Sequence, residues 1–454
     1  MICAATAEAA DNQFMRLLRA DGPHPLRRRL WIGGSWVGLL VAVVVISQAI
    51  GRLSDPSNRL ELGGDFVPAY AAGTLVREGR FAEIYHTDAM ERVERATVAA
   101  ADLEPLPFYG PYLNPPFFAA LHAPLSALPF RHSAAIWLVF SLVCVAGSIA
   151  ILSRILSNDW RTWALLPLLL VISMPFWQAL CHLQNSCLSL LIVAGVVAIW
   201  RNASSRRAAI VAGLLASLLA YKPQLAALIM VSLSATLGWP AALGCAIGLG
   251  ILGVATLCFM PGTISEYLHA LPPLLRMIQE RPQYNWGRQV TPQGFWRLLL
   301  QGHAGGPARP ITTLLVSICV LSALVSFGWL LWRYRTDRTH RDQLIVMTIC
   351  ASPVLMPYFM DYDLLLLAIP AVLIANLWIR VGSPAGLARF APVVWSLLFV
   401  TLYINPGLSG QTRLNFAALL TTATAIMSSA SGLWKIARRS ESNETAYTPL
   451  ASAA

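Results

Sequence analysis

The chain has 454 residues, of which 56% are hydrophobic and only 12% charged. Soluble domains carry roughly 25% charged residues, so this composition excludes an ordinary soluble protein and predicts an all-α protein that crosses a membrane many times. The net charge of +11 does not call for a nucleic acid as partner, because the arginines lie in short segments between apolar runs, where a basic excess orients helices toward the cytoplasm.

Twelve apolar runs are predicted to span the bilayer, the longest reaching the roughly 20 residues that cross a hydrocarbon core. A basic tail of residues 1–30 precedes them, the membrane domain covers residues 31–434, and a polar tail of residues 435–454 follows. Both tails are predicted to be cytoplasmic. In chain order the spans cover residues 31–50, 133–153, 163–181, 184–200, 208–221, 223–237, 241–260, 311–332, 343–359, 363–380, 390–405 and 414–434.

Two long connections are predicted on the outer side of the membrane, at residues 51–132 and 261–310. Within the first, the apolar run 117–130 is about half the length of a span and is broken by Pro124. We therefore interpret this run as a re-entrant or interfacial segment.

The segment from residue 208 to residue 237 has two interpretations. Two short spans, 208–221 and 223–237, keep the later basic connections on the cytoplasmic side. One bent span would invert every later connection and place the basic cluster of residues 333–341 outside. We therefore predict two spans.

With this topology, the polar residues at the ends of the apolar runs fall on the outer side of the membrane. They predict a site there, built from Asp65, Tyr112, Asn114, His182, Gln184, Asn185, Lys222, Gln224, Arg288, Asp361 and Asp363. The alternative is a transporter or flippase for lipid-linked sugars, which would place charges near the bilayer midplane. The predicted spans contain few charges in their middle, which counts against transport.

Several short motifs follow one another in a fixed order. They are Gly64-Asp65-Phe66, Asn114-Pro115-Pro116, Gln184-Asn185, Lys222-Pro223-Gln224 and Asp361-Tyr362-Asp363. This order resembles glycosyltransferase family 87 from about residue 60 to residue 370. One departure is that Asn114 stands where the family has a tyrosine, although Tyr112 is close by.

The resemblance implies a bundle of the GT-C type with about 12 transmembrane helices. It also implies an inverting enzyme of the inner or plasma membrane that moves a sugar, typically mannose, from a polyprenyl-phosphate donor to a lipid or glycan acceptor at the outer face. A GT-C enzyme that uses another sugar remains an alternative. The expected partners are the donor, the acceptor and the lipid bilayer.

Asp65 is the candidate general base. It follows Gly63-Gly64, which allow a tight turn near a sugar, and it lies about fifteen residues after the first predicted span, as the catalytic acid of the family does. The alternative is that Asp65 only caps the helix that begins near Phe66.

Lys222 and Arg288 are the candidate contacts of the donor phosphate. Lys222 lies between two apolar segments, where an unpaired ammonium is costly, and Arg288 offers a planar fork that matches phosphate oxygens. The alternatives are a lysine that extends to the membrane interface and an arginine that anchors the outer loop there.

The remaining candidates are predicted to contact the sugar or the acceptor. For Gln184-Asn185 and for Asp361-Tyr362-Asp363 the alternative is helix capping, although two acids so close exceed the need of a cap. One of these carboxylates is also expected to balance Lys222 or Arg288. His182 has a structural, hydrogen-bonded role as its alternative.

We expect neither a metal ion nor a cofactor. The carboxylates Asp65, Asp361 and Asp363 leave a divalent metal open as an alternative that the spacing does not demand. The cysteines show no paired CxxC spacing of a zinc or redox site.

Overall fold

The computed structural model describes residues 64–156, 173–381 and 400–429, apart from residues 104 and 107, together with residues 166 and 170. Within these ranges the chain forms α-helices and short 3-10 helices and no strand. The predicted span 31–50 and both predicted tails lie outside the described residues.

The consecutive helices between residues 186 and 259 are joined by short connections and pack against one another. Residues 400–412 are helical as well. The helices with defined ends are α1 (Val67–Arg77), α2 (Thr87–Ala100), α3 (Pro116–His122), α4 (Phe130–Ser153), α5 (Met174–Cys181), α6 (Ser186–Asn202), α7 (Arg206–Ser217), α8 (Pro223–Leu237), α9 (Trp239–Phe259), α10 (Thr263–Gln279), α11 (Pro292–Gln301), α12 (Pro310–Tyr334), α13 (Arg341–Leu355), α14 (Ala368–Val381) and α15 (Phe416–Ser429).

Three of the described helices, α4, α9 and α12, are long and apolar enough to cross a membrane. They correspond to the predicted spans 133–153, 241–260 and 311–332. Helices α6, α8 and α15 are apolar but shorter. The prediction of a helical membrane protein is thus confirmed, whereas the number of twelve spans stays a prediction.

Helices α7 and α9 run parallel to each other. Gly244 approaches Ile210 so closely that an added Cβ would lie 2.1 Å from the Ile210 carbonyl oxygen. Gly248, about one turn further along α9, meets the side chain of Ser217, about two turns further along α7. Small residues allow this close contact between membrane helices. Since α8 connects the two, it runs in the opposite direction, and residues 208–221 and 223–237 belong to separate helices.

One end of the bundle gathers the start of α6, the start of α8 and the segment after α13. Ser186 at the start of α6 binds Asp363 there, while at the far end of α6 Arg201 binds Asp342 with contacts of 2.6 and 2.7 Å. Helices α6 and α13 are therefore antiparallel. We call the end that contains Ser186 the site end.

Helix α1 is fixed at the site end by aromatic packing. Phe66, only 1% exposed, stacks on Trp137 with ring centroids 5.9 Å apart and also contacts Phe130. Gly73 lets α1 lie against the backbone of His122 at the end of α3. These contacts hold the residue before Phe66 at the edge of the bundle.

Candidate active site

Asp65 lies in a 3-10 turn over Gly64–Phe66, immediately before α1. Its side chain is 44% exposed, and its Oδ2 accepts a hydrogen bond of 2.6 Å from Nε2 of Gln184. Helix α1 has no side-chain cap at its start. The capping interpretation is therefore wrong, and the carboxylate is free to face a ligand with its other oxygen.

The turn between α5 and α6 supplies two further side chains. Leu183 has a φ of +52°, a left-handed conformation that is uncommon for a branched residue, and its carbonyl accepts a hydrogen bond of 2.9 Å from Trp137. Such a backbone conformation is held only when its surroundings fix it. It directs His182 and Gln184, on either side, toward Asp65.

Arg288 is the most connected side chain at the site. Its Nε and NH2 donate to the two oxygens of Asp361 at 2.9 and 3.0 Å, NH2 also donates to Gln178 at 2.9 Å, and NH1 lies 3.2 Å from Nε2 of His182. Burial disfavours the charged guanidinium, but the Asp361 carboxylate outweighs it and raises the pKa of Arg288 above its ordinary value. Arg288 thus remains a cation at any relevant pH.

The contact with Arg288 determines how a neutral His182 carries its proton. A guanidinium can only donate, so Nε2 of His182 is the acceptor and Nδ1 holds the hydrogen. Nδ1 lies 3.8 Å from Oδ2 of Asp65, too far for a good hydrogen bond but close enough for electrostatic attraction. Arg288 therefore acts on Asp65 through His182.

Lys222 forms the second ion pair of the site. It precedes α8, between that helix and a 3-10 turn, and its Nζ binds Oδ1 of Asp363 and Oγ of Ser186. Lys222 is 15% exposed and Asp363 9%. Lys222 is consequently a largely buried, paired cation, and its extension to the membrane interface stays an untested alternative.

Tyr362 separates the two ion pairs. Nζ of Lys222 and Cζ of Arg288 lie 5.9 and 6.0 Å from the centre of its ring. The acids on either side of it form no side-chain cap of the 3-10 helix Asp361–Leu367. They balance one cation each, whereas the sequence-based interpretation expected only one of the two acids to do so.

Four predicted site residues are not part of this network. Tyr112 is 2% exposed, and its buried hydroxyl has no hydrogen-bond partner among the described residues. The carbonyl of Asn114 accepts a hydrogen bond from Tyr85. Asn185 precedes α6 without a side-chain cap bond, and Gln224 is half-buried in the first turn of α8. Their contacts with a sugar stay predictions.

Sequence reasoning missed Ser186, Gln178 and Tyr362. Gln178 is the one amide within the apolar run of α5, which was a usable signal. Ser186 follows the motif Gln184-Asn185 and Tyr362 stands inside the motif Asp361-Tyr362-Asp363, but nothing local distinguishes these two side chains from ordinary helix-end residues. Among the described residues no group of three acidic, histidine or cysteine side chains is arranged to hold a metal ion.

With a neutral His182, the charges at the site leave one excess negative charge. Asp65, Asp361 and Asp363 carry three negative charges, and Lys222 and Arg288 carry two positive ones. Both ion pairs are largely buried, so the excess charge resides on the exposed carboxylate of Asp65. This arrangement can accept a proton at Asp65 beside two fixed cations.

The family model described as glycosyltransferase family 87 matches residues 112–358, which is more than half of the chain. This segment contains Lys222 and Arg288, whereas Asp65 and the acids at 361 and 363 lie outside it. No curated protein and no solved structure matches the chain. On the extent of the family match, the chain belongs to glycosyltransferase family 87.

Proposed function

We propose that the protein is an inverting hexosyltransferase that moves mannose from a polyprenyl-phosphate donor to a hydroxyl of a lipid or glycan acceptor. Family membership supports a sugar donor and an acceptor. The observation that carries the mechanism is the contrast between Asp65, an exposed carboxylate, and the buried ion pairs beside it. The identity of the sugar and of the lipid rests on the family resemblance.

In the proposed reaction Asp65 takes the proton of the acceptor hydroxyl. The acceptor oxygen then forms a bond to the anomeric carbon of the sugar, on the face opposite the phosphate. The bond between that carbon and the phosphate oxygen breaks, and the electron pair leaves with polyprenyl phosphate. Gln184 and His182 hold the carboxylate in the orientation that this attack needs.

Lys222 and Arg288 are proposed to stabilise the departing phosphate. A lysine has three N–H donors and an arginine five. Lys222 donates to Asp363 and Ser186, and Arg288 uses four of its donors on Asp361, Gln178 and His182. One N–H of each has no acceptor among the described residues, so both can bind phosphate without breaking their ion pairs.

The proposed location of the site is the outer face of the inner or plasma membrane, with both termini in the cytoplasm. The end of the bundle opposite the site supports this orientation, since Arg201 and Arg341 lie there and Arg338 is close by in sequence. Basic residues favour the cytoplasmic side. The proposal assigns no metal ion or cofactor to the reaction.

The test is transfer from radiolabelled polyprenyl-phosphate mannose to total membrane glycolipid by the purified full-length chain. Asp65→Asn removes the base and should lower transfer by about 10²- to 10⁴-fold. Asp88→Asn, which changes an exposed aspartate on α2, is the control and should retain wild-type transfer.

Wild-type transfer by Asp65→Asn would exclude Asp65 as the base. Transfer only from a different polyprenyl-phosphate sugar would correct the sugar but keep the mechanism. Absence of transfer from every such donor would contradict the donor class. The anomeric configuration of the product, read by proton NMR, tests inversion.

A further inference from the structure

A cleft of 810 Å³ lies between α1, α2 and the first turn of α4. Its lining includes four arginines and one histidine, namely Arg77, Arg80, Arg92, Arg131 and His132. The acidic side chains that share the lining are Glu78 and Asp102. We propose that this cleft binds the anionic, phosphate-bearing headgroup of a membrane lipid.

The positive charge of the cleft is only partly balanced within the protein. Arg80 forms salt bridges of 2.8 Å with Glu83 and 3.1 Å with Glu78. No carboxylate among the described residues forms a salt bridge with Arg77, Arg92 or Arg131. Within the described ranges these three guanidinium groups thus line the cleft without a salt bridge, although the carboxylate of Glu83 interacts electrostatically with Arg92 over a longer distance.

Two of these guanidinium groups are already held in place. NH1 of Arg77 donates to the carbonyl of Ser126 at 2.7 Å, and Nε and NH2 of Arg131 donate to the carbonyls of Ala101 and Asp102 at 3.1 and 3.3 Å. Carbonyls orient a guanidinium but leave its full charge available. The donors that remain match the oxygens of a phosphate, which arginine binds as a planar fork.

Two walls of the cleft are apolar, which points to a ligand with an apolar part. Val93, Ala96 and Ala100 of α2 form one wall, and Pro129 and Phe130 at the start of α4 form another, while Tyr70, Thr74 and Thr97 add polar atoms. A soluble sugar phosphate has no group that would cover the apolar walls. A lipid whose phosphate is joined to an apolar chain does.

The position of the cleft along α4 supports a lipid. Helix α4 is one of the helices able to cross a membrane, and from Ile136 onward it exposes large apolar side chains, among them Val139 at 60% and Val143 at 61%. Arg131 and His132 lie in its first turn, just before that apolar surface. The arginines therefore lie where a span meets the headgroup layer, in which basic side chains attract anionic lipids.

The far end of the cleft is separated from the proposed catalytic centre by the length of α1. Asp65 precedes α1, whereas Arg77 is the last residue of that helix, roughly 18 Å away for twelve residues at the rise of an α-helix. A lipid phosphate bound at Arg77 is therefore distant from Asp65, while Tyr70 and Phe130 in the lining contact Phe66, the residue after Asp65. The proposal stands whether or not the assignment of Asp65 is correct.

The experiment measures lipid binding by the full-length chain in a neutral detergent. The probes are radiolabelled phosphatidylglycerol, a polyprenyl phosphate, phosphatidylcholine and inorganic phosphate. The double variant Arg92→Ala/Arg131→Ala should bind the two anionic lipids at least about tenfold more weakly than the wild type. Arg131 also connects α4 to the end of α2, so its substitution can disturb the fold. Arg92 is exposed and forms no side-chain hydrogen bond with the described residues. The single variant Arg92→Glu must therefore show the same loss of lipid binding.

The matched control is Arg95→Ala, on the same helix but outside the cleft, where Arg95 is paired with Glu91. It should bind lipid as the wild type does. If the wild type binds polyprenyl phosphate more strongly than phosphatidylglycerol, the ligand is the lipid carrier of the donor. If it binds phosphatidylglycerol more strongly, the ligand is a bulk acidic lipid. The proposal would be overturned if both cleft variants bound the anionic lipids with wild-type affinity. It would also be overturned if the wild type bound phosphatidylcholine as strongly as the anionic lipids, or if inorganic phosphate at equal concentration displaced the bound lipid.

Discussion

The side chain of Arg288 binds that of Asp361 through two hydrogen bonds, and the backbone N–H of Asp361 donates to the carbonyl of Arg288 at 2.9 Å. The two residues are 73 positions apart in sequence. Both are largely buried, with side chains 16% and 3% exposed. The loop before α11 and the segment after α13 are thereby joined into one wall of the site.

Asp361→Asn should weaken both the fold and the activity. The substitution leaves Arg288 as a buried cation without its counter-charge, which costs about 3–5 kcal/mol of unfolding free energy when a buried pair is broken. It should also loosen His182 and lower transfer. The measurements are the apparent Tm and the rate of sugar transfer.

The control for that prediction is Asp342→Asn, which breaks the pair with Arg201 at the opposite end of the bundle. It should lower Tm but leave the transfer rate per folded molecule unchanged. If Asp361→Asn retained the same specific activity as this control, the link from Asp361 to the catalytic centre would be refuted.

Substitutions of His182 should separate orientation from mere packing. In His182→Asn the side-chain N–H occupies nearly the place of Nδ1 and can still face Asp65, so transfer should fall by no more than about tenfold. In His182→Gln the amide extends toward Arg288 instead, and transfer should fall by about a hundredfold. The loss is expected in kcat with an unchanged KM, because orientation of the base acts on the chemical step. Equal rates for both variants would count against this role.

Lys222 and Asp363 permit a test that separates stability from catalysis. Lys222→Met leaves Asp363 buried without its cation and should cost about 3–5 kcal/mol, whereas the double variant Lys222→Met/Asp363→Asn should recover much of that loss because no unpaired charge remains. Transfer should stay low in the double variant, since the phosphate contact is missing. Recovery of activity together with Tm would show that Lys222 is needed for the fold alone.

Glu94 should make stability depend on pH. It is 1% exposed, both carboxylate oxygens lack a partner among the described residues, and burial raises the pKa of Glu94 to about 8. A folded-state pKa above the unfolded one means that the folded protein holds the extra proton, so stability falls as pH rises from about 4.5 to about 8. Each pKa unit corresponds to about 1.4 kcal/mol.

The measurement for Glu94 is the apparent Tm across that pH range. Glu94→Gln cannot ionise, so its Tm should decline less than that of the wild type between pH 5 and pH 8. Asp88→Asn, at an exposed aspartate on the same helix that does not contribute to the shift at Glu94, should keep the wild-type slope. Parallel curves for all three proteins would contradict it.

Local features of the sequence predicted the membrane helices well. The described helices α4, α9 and α12 coincide with predicted spans to within three residues at each end, because length and hydropathy are properties of one segment. The separation of α7 from α8 was also predictable. The basic connections later in the chain must lie on the cytoplasmic side, and this is possible only if residues 208–237 form two spans and not one.

The pairing within the site was only partly predictable. The motif order indicated that Asp65, Gln184 and the acids at 361 and 363 belong together, and the structure does place Gln184 on Asp65. It was not predictable that Tyr112 would be buried beside Tyr85 and Tyr267. Proximity along a loop says little about the direction in which a side chain points.

The sequence by itself determined the membrane class, the main apolar helices and the charged residues from which the site is built, because composition, hydropathy and motifs are local. Only the tertiary structure decided that Asp361 balances Arg288, that Asp363 balances Lys222, and that Asp65 alone remains exposed. Lys222 and Asp363 are 141 residues apart, and their partnership depends on how α6, α8 and α13 pack. Packing selects one partner among several charges that are equivalent in sequence.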